Sequence, residues 1–219
     1  MSEPGNTETP VVERPRNLAK KLHLRSVARA DALRRENEEL RLKSGTDALT
    51  GLHNRGYFDE QARRLQAEQA RGESIFAVVI MDIDHFKSLV NDMYGHDAGN
   101  DVLKLFANII SNSPDKEDKD LIFRKSDYVA RIGGDEFGVL MTNFNPDTDA
   151  ATWSNDLESK ITEKLRSRIR EHYPQYPEAR KVGISLGIAS LREGEEFRDA
   201  FKRADNMVYQ RKEIKGSSR

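Results

Sequence analysis

Apolar positions along the chain change period several times, and each change marks an element. Residues 17–43 read as helix, with Ala30, Leu33, Asn37 and Leu40 recurring at spacings of three, four and three. That is a short heptad seam flanked by Arg34, Arg35, Glu38 and Glu39, with Asn37 placed to set register. So short a seam holds no tight dimer alone, and a solvated helix packed on its own domain is the other reading. From Tyr57 to Arg71, Phe58, Ala62 and Leu65 form one helical stripe that Gly72 stops. Phe76 to Met81 is apolar at every position, the signature of a central strand covered on both faces. Val102 to Ile110 predicts a helix with Leu103, Phe106 and Ile110 inward. Tyr128–Ile132 and Phe137–Met141 predict two strands joined as a hairpin, with Gly133 and Gly134 supplying the positive φ of a tight turn. A helix over 149–172, a strand over 181–191 and a helix over 197–215 complete the pattern.

That order predicts an α+β fold, a central mostly antiparallel sheet flanked by helices and preceded by an N-terminal helix. Residues 1–16, with three prolines and few large apolar groups, read as a disordered tail. Residues 17–45 read as a helical, coiled-coil dimerisation segment, and 46–219 as the catalytic domain. The run from Leu18 to Arg35 is basic, which favours a solvated face over an acidic docking surface.

Composition narrows the class. With 219 residues and 37% hydrophobic content the chain can bury one full core plus an extension. A formal net charge of −1 gives no field for nucleic acid or anionic membrane. No run of about 18 apolar residues predicts a membrane span, and Met1–Asn6 lacks the basic and apolar blocks of a signal peptide. The absence of cysteine excludes disulfides and thiolate metal sites and fits a cytoplasmic setting.

The candidate chemistry is acidic. Asp82 and Asp84 close the apolar strand and, two apart, share one of its faces. Gly133-Gly134-Asp135-Glu136-Phe137 puts two carboxylates directly after two glycines. If the hairpin pairs beside the Asp82 strand, these carboxylates converge, and so many negative charges call for a divalent cation. Arg124 and Asp127, three apart and upstream of the glycines, read by themselves as a surface ion pair.

These residues resemble the GGDEF-domain diguanylate cyclases. Matching segments are Asp47–Arg55, Met81–Lys87, Asn91–Gly99, Gly133–Phe137, Gly183–Ala189 and Ala204–Tyr209, in the family's order. The resemblance implies the palm-like, ferredoxin-related nucleotidyl cyclase fold. It implies condensation of two GTP into cyclic di-GMP and two pyrophosphate, dependent on Mg2+ (with Mn2+ as an alternative), in a homodimer inhibited by its product. It assigns Asp82, Asp135 and Glu136 as carboxylate metal ligands and the Ile83 carbonyl beside them. Glu136 and Asp135 become the catalytic residues. Phe86 and Lys87 hold the triphosphate through backbone amides, and Lys212 neutralises its terminal charge. Gly133 and Gly134 admit the nucleotide, Asn91 and Asn100 face the base, and Arg124 and Asp127 bind the inhibitory product. The N-terminal helix presents the second copy or a regulatory partner.

Three positions depart from the family's pattern. Ser88, Leu89 and Val90 put three residues between Lys87 and Asn91 where the family has two. One extra helical residue turns Asn91 by about 100° unless the chain absorbs it. Asn100 stands where the family reads guanine with Asp, and an amide offers one acceptor and a donor in place of two acceptors. The family's phosphate-binding Arg after Lys212 is missing, leaving Lys215 as the candidate replacement. Two alternatives to the ordinary cyclase follow: relaxed guanine/adenine selectivity, or a non-catalytic module that binds cyclic di-GMP and signals.

Overall fold

One nine-residue strand organises the molecule. The computed structural model describes residues 45–72, 75–111, 121–145 and 150–216, together with His23, Val27 and Arg29, which are helical. The predicted tail, the heptad seam and the polar stretch 112–120 lie outside the described residues. The chain divides into two compact units, Met1–Leu40 and Arg41–Arg219, and every element below belongs to the second. None of the described helices is long and apolar enough to cross a membrane.

In chain order the elements are β1 (His53–Asn54), α1 (Arg55–Ala70), β2 (Phe76–Asp84), a π-turn (Lys87–Asn91), α2 (Asp92–Ile110), β3 (Tyr128–Arg131), β4 (Glu136–Thr142), α3 (Ala150–His172), a 3-10 turn (Glu178–Lys181), β5 (Gly183–Ser190) and α4 (Phe197–Ile214). The sheet order is β1-β3-β4-β2-β5. β2 pairs antiparallel with both β4 and β5, β3 pairs antiparallel with β4, and the short β1 runs parallel to β3. From β2 onward this is the β-α-β-β-α-β order of ferredoxin-like folds, as expected.

All nine residues of β2 are buried, because helices cover both faces of the sheet. Ala77, Val79, Met81 and Ile83 pack with Val102 and Phe106 of α2 and with Leu157, Ile161 and Leu165 of α3. Phe76, Val78 and Ile80 pack with Phe58, Ala62 and Leu65 of α1 and with Ala200, Ala204 and Val208 of α4. Strand alternation therefore carries Asp82 and Asp84 onto the α4 face, beyond the point where its apolar residues end. The C-terminus of a helix attracts cations, and α4 brings Lys212 in its last turn and Lys215 at its cap to this edge.

One element and one helix start were not visible in the pattern. β1 has only two residues, too few for any period, and Asn54 ends it by capping α1, its side chain accepting the Tyr57 N–H at 2.9 Å. Helix α2 begins at Asp92, ten residues before the apolar period, because its polar first turns are broken at Gly95, where φ is +84°.

Candidate functional site

The carboxylates come together where β2 and β4 end side by side. Asp82 is registered opposite Glu136 on β4 and Ser185 on β5. Ile83 donates its N–H to the Asp135 carbonyl at 3.4 Å, tying the strand to the hairpin tip. Asp82 is buried, with 2% of its surface exposed, and forms an ion pair with Lys212. Burial pushes the Asp82 carboxyl up to about 7. The Lys212 ammonium opposes the rise, while the charges of Asp135 and Glu136 add to it. Among the described residues no three acidic or histidine side chains form a ready-made metal cage. Asp82, Ile83 and Asp135 line one cleft of about 560 Å³ together with Phe86, Lys87, Glu136 and Lys212. Asp82 Oδ1 is buried and accepts no hydrogen bond of good geometry. A sealed, under-satisfied carboxylate beside two others fits a divalent ion that takes its remaining ligands from phosphate and water.

Asp84, on the same strand face, does not join this group. Its Oδ1 accepts the Ser185 hydroxyl at 2.6 Å and its Oδ2 meets Lys215 Nζ at 3.0 Å. Lys215 also donates to Glu158 at 2.7 Å and to the Ile184 carbonyl at 2.7 Å. The proposed replacement for the missing Arg is thereby corrected: Lys215 clasps the end of α4 to the sheet through Asp84, Glu158 and the Ile184 carbonyl, and it does not line the cleft that contains Asp82 and Lys212.

Past Asp84 the chain turns abruptly. His85 has φ +59°, a left-handed conformation uncommon for a residue with a Cβ. It turns the strand directly into the π-turn, closed by the bond from the Asp92 N–H to the Lys87 carbonyl. This is where the extra residue goes. A π-turn adds one residue to a helical turn, so the expected 100° rotation does not arise. Asn91 lies over Gly99, so near that a Cβ on Gly99 would stand 2.1 Å from Asn91 Oδ1. Asn91 and Asn100 thus line one pocket of about 320 Å³ with Phe86, Lys87, His96 and Gly134.

The hairpin glycines work differently from expectation. Neither Gly133 nor Gly134 has positive φ. Glu136 folds back over Gly133, with Oε2 2.5 Å from where a Cβ would sit, so a side chain there would push the Glu136 carboxylate aside. Gly134 has open space on that side and borders the pocket that Asn91 and Asn100 line. The tip is held by Arg131, which sequence reading did not single out. Its guanidinium donates to the Gly134 carbonyl at 2.7 and 3.2 Å, and reaches Asp47 at 3.3 Å. Burial works against the Asp47 carboxylate, but hydrogen bonds from Thr50 and the Arg131 charge hold its carboxyl below the usual range. An Arg just ahead of Gly-Gly at a strand end, with an Asp at the domain's start, was the available signal.

Arg124 and Asp127 are not equivalent. Asp127 is buried and accepts the Arg124 N–H at 2.8 Å and the Thr142 N–H at 2.9 Å, one on each oxygen. Burial raises its carboxyl and those two amides oppose the rise. Asp127 therefore clasps the loop to β4, while the Arg124 side chain is exposed at its surface.

Comparison with known proteins finds relatives over most of the chain. The family model described as diguanylate cyclase, GGDEF domain, matches residues 44–218. The chain is 38% identical over 168 residues to the probable diguanylate cyclase DgcT of Escherichia coli, covering 76% of this chain and 33% of that protein. It is 32% identical over 177 residues to the diguanylate cyclase DgcS of Shewanella oneidensis, covering 80% of this chain and 52% of that one. The chain therefore spans between a third and a half of these relatives. Among solved structures, the coiled coil and GGDEF domain of DgcB from Caulobacter crescentus, in complex with c-di-GMP, superposes with a TM-score of 0.60 at 27% identity, covering 90% of this chain and 94% of that one.

Proposed function

This chain belongs to the GGDEF-domain family of diguanylate cyclases, and on that premise we propose that it condenses two GTP into cyclic di-GMP. Each 3′-hydroxyl attacks the α-phosphorus of the other nucleotide, and two pyrophosphates leave. The observation that carries this reading is the buried Asp82 facing Glu136 across β2 and β4, beside Asp135, in a cleft floored by Lys212. Mg2+, or Mn2+ in its place, held by Asp82, Asp135 and the Ile83 carbonyl, would neutralise charge on the phosphates. Glu136 is placed to hold that ion's second neighbour or to take the 3′-hydroxyl proton. Backbone amides at Phe86 and Lys87 and the Lys212 ammonium hold the triphosphate. Such in-line displacement needs positioning and charge compensation more than covalent help. One domain offers one nucleotide pocket, so the reaction needs two copies facing each other, presented by the helix that the sequence predicts over 17–45. That helix is also where a regulatory partner would act.

Incubation of the purified protein with GTP and Mg2+, followed by mass identification of products, tests the reading. Cyclic di-GMP supports it. No turnover together with tight cyclic di-GMP binding would favour the signalling-module alternative. For product inhibition the exposed Arg124 is the gripping group and Asp127 shapes its loop. Arg124→Ala is expected to raise the inhibitory concentration of cyclic di-GMP at least about tenfold, the worth of a good bidentate contact to guanine. An unchanged inhibition curve removes this site.

Base choice has a specific observation of its own. The base pocket presents two carboxamides, Asn91 and Asn100, with Asp135 at its phosphate end as its lone carboxylate. Adenine's N6 and N7 suit a carboxamide bidentately, whereas guanine's two N–H groups suit a carboxylate. We therefore expect measurable incorporation of ATP from GTP/ATP mixtures. Asn100→Asp should raise the preference for GTP by about tenfold. Identical selectivity in the variant would show that Asn100 does not read the base.

A further inference from the structure

The metal cleft already contains a cation, and the chain supplies it. Lys212 has 4% of its surface exposed, and in its ion pair with Asp82 the two side chains are 6% and 3% exposed. Asp82 Oδ1, the oxygen that Lys212 meets, has no well-formed hydrogen bond. Asp135 and Glu136 add two further negative charges from the hairpin. Withdrawing the ammonium without a substitute would leave a sealed, uncompensated carboxylate, which is strongly unfavourable. A divalent ion on that carboxylate and an ammonium in contact with it repel, so the ion's arrival favours withdrawal of Lys212. The same cleft contains the Phe86–Lys87 backbone, where the phosphates of the proposed substrate would lie.

We propose that Lys212 is an exchangeable internal counter-ion, which neutralises Asp82 in the metal-free chain, yields that carboxylate to the divalent ion and turns to the nucleotide's terminal phosphate. The proposal rests on the reading above that metal and phosphates share this cleft. It has a thermodynamic consequence. Metal alone must evict Lys212 with no anion to receive it. Nucleotide alone must draw Lys212 away and strand Asp82. When both arrive, each exchange satisfies the group that the other releases, so Lys212 adds to the positive coupling that direct metal–phosphate ligation already supplies. A lysine fixed on the phosphates throughout would leave only the direct part, and its removal would not tighten metal binding in the absence of nucleotide.

The test is Mn2+ binding to the full chain, followed by electron paramagnetic resonance of free Mn2+ at pH 8.5, which keeps proton competition small. It is run with and without an α,β-methylene analogue of GTP. Wild-type protein is expected to bind Mn2+ at least about tenfold more tightly when the analogue is present. Lys212→Met is expected to bind Mn2+ about fivefold or more tighter than wild type when nucleotide is absent, and to show a smaller nucleotide effect. Lys212→Gln serves as the second variant, with thermal melts confirming folding of both. An unchanged or weakened nucleotide-free affinity in the folded variants overturns the proposal while leaving the metal site intact. Failure of wild type to bind Mn2+ even with the analogue overturns the underlying metal reading and the proposal with it. Lysine-labelled NMR of the wild-type chain gives an independent check. The Lys212 ammonium signal should shift on adding Mg2+ and analogue together, and a signal unmoved by saturating amounts of both overturns the exchange.

Discussion

Asp135→Ala and Glu136→Ala are each expected to lower cyclic di-GMP formation by at least about a hundredfold, the scale of losing one preorganised electrostatic contact to the reacting group, while the fold survives. The survival follows from where the side chains sit. Both are half-buried at the hairpin tip and belong to neither apolar cluster. The structural bonds of this tip run through backbone, from Ile83 N–H to the Asp135 carbonyl and from Ile132 and Gly133 N–H to the Glu136 carbonyl. Removing either carboxylate also relieves repulsion on Asp82. Asp82→Ala would be a poorer probe, because it strands the buried Lys212. Turnover assays and thermal melts on the same preparations check both halves. Full activity in either variant contradicts the catalytic assignment.

Gly187→Ala is expected to cost about 2–3 kcal/mol, the upper range for overpacking a well-filled interior. For a domain of this size that lowers the melting temperature by roughly 5–10 °C. Gly187 lies on β5 opposite Ile80, facing α4. A Cβ there would stand 2.0 Å from the Ala204 carbonyl oxygen and 3.0 Å from Met207 Cβ. The first of these is backbone within a helix and has no rotamer to adopt, so α4 itself must move outward. Since α4 carries Lys212 onto Asp82, the same shift disturbs the metal cleft, and activity should fall with stability. Gly194→Ala is no substitute, because its φ of +71° penalises any side chain for a different reason. Thermal unfolding of Gly187→Ala checks the prediction, and a melting temperature equal to wild type would contradict the close approach.

What the sequence revealed follows from the physics of each signal. β2 was legible because the first six of its nine buried residues, Phe76 to Met81, form an unbroken apolar run, and the carboxylates were legible because acids at the end of such a run are costly without a purpose. The convergence of Asp82 with Asp135 and Glu136 depended on β2 pairing with β4, which periodicity alone does not specify. Four details were beyond it. The π-turn looks like an insertion in sequence, because the extra turn residue leaves no periodic trace. The role of Gly133 was misassigned to positive φ, since a glycine required by a folded-back side chain reads identically to one required by a turn. Lys215 lay at a plausible spacing for phosphate, and its partners Asp84 and Glu158 lie 131 and 57 residues away, so its use as a clasp was set by tertiary packing. Arg131 was passed over because its one signal, an arginine just ahead of Gly-Gly, gains meaning only with the contacts to Asp47 and Gly134.

The account stands on acidic groups from two strands gathering around one divalent ion beside a nucleotide. Crystals grown with Mn2+ and the α,β-methylene analogue of GTP test this most directly, through anomalous scattering at the manganese edge. The account predicts a peak about 2.1 Å from carboxylate oxygens of Asp82 and Asp135 and from the Ile83 carbonyl, with the analogue's phosphates against Phe86 and Lys87. Bound nucleotide with no anomalous peak among those three residues would contradict it.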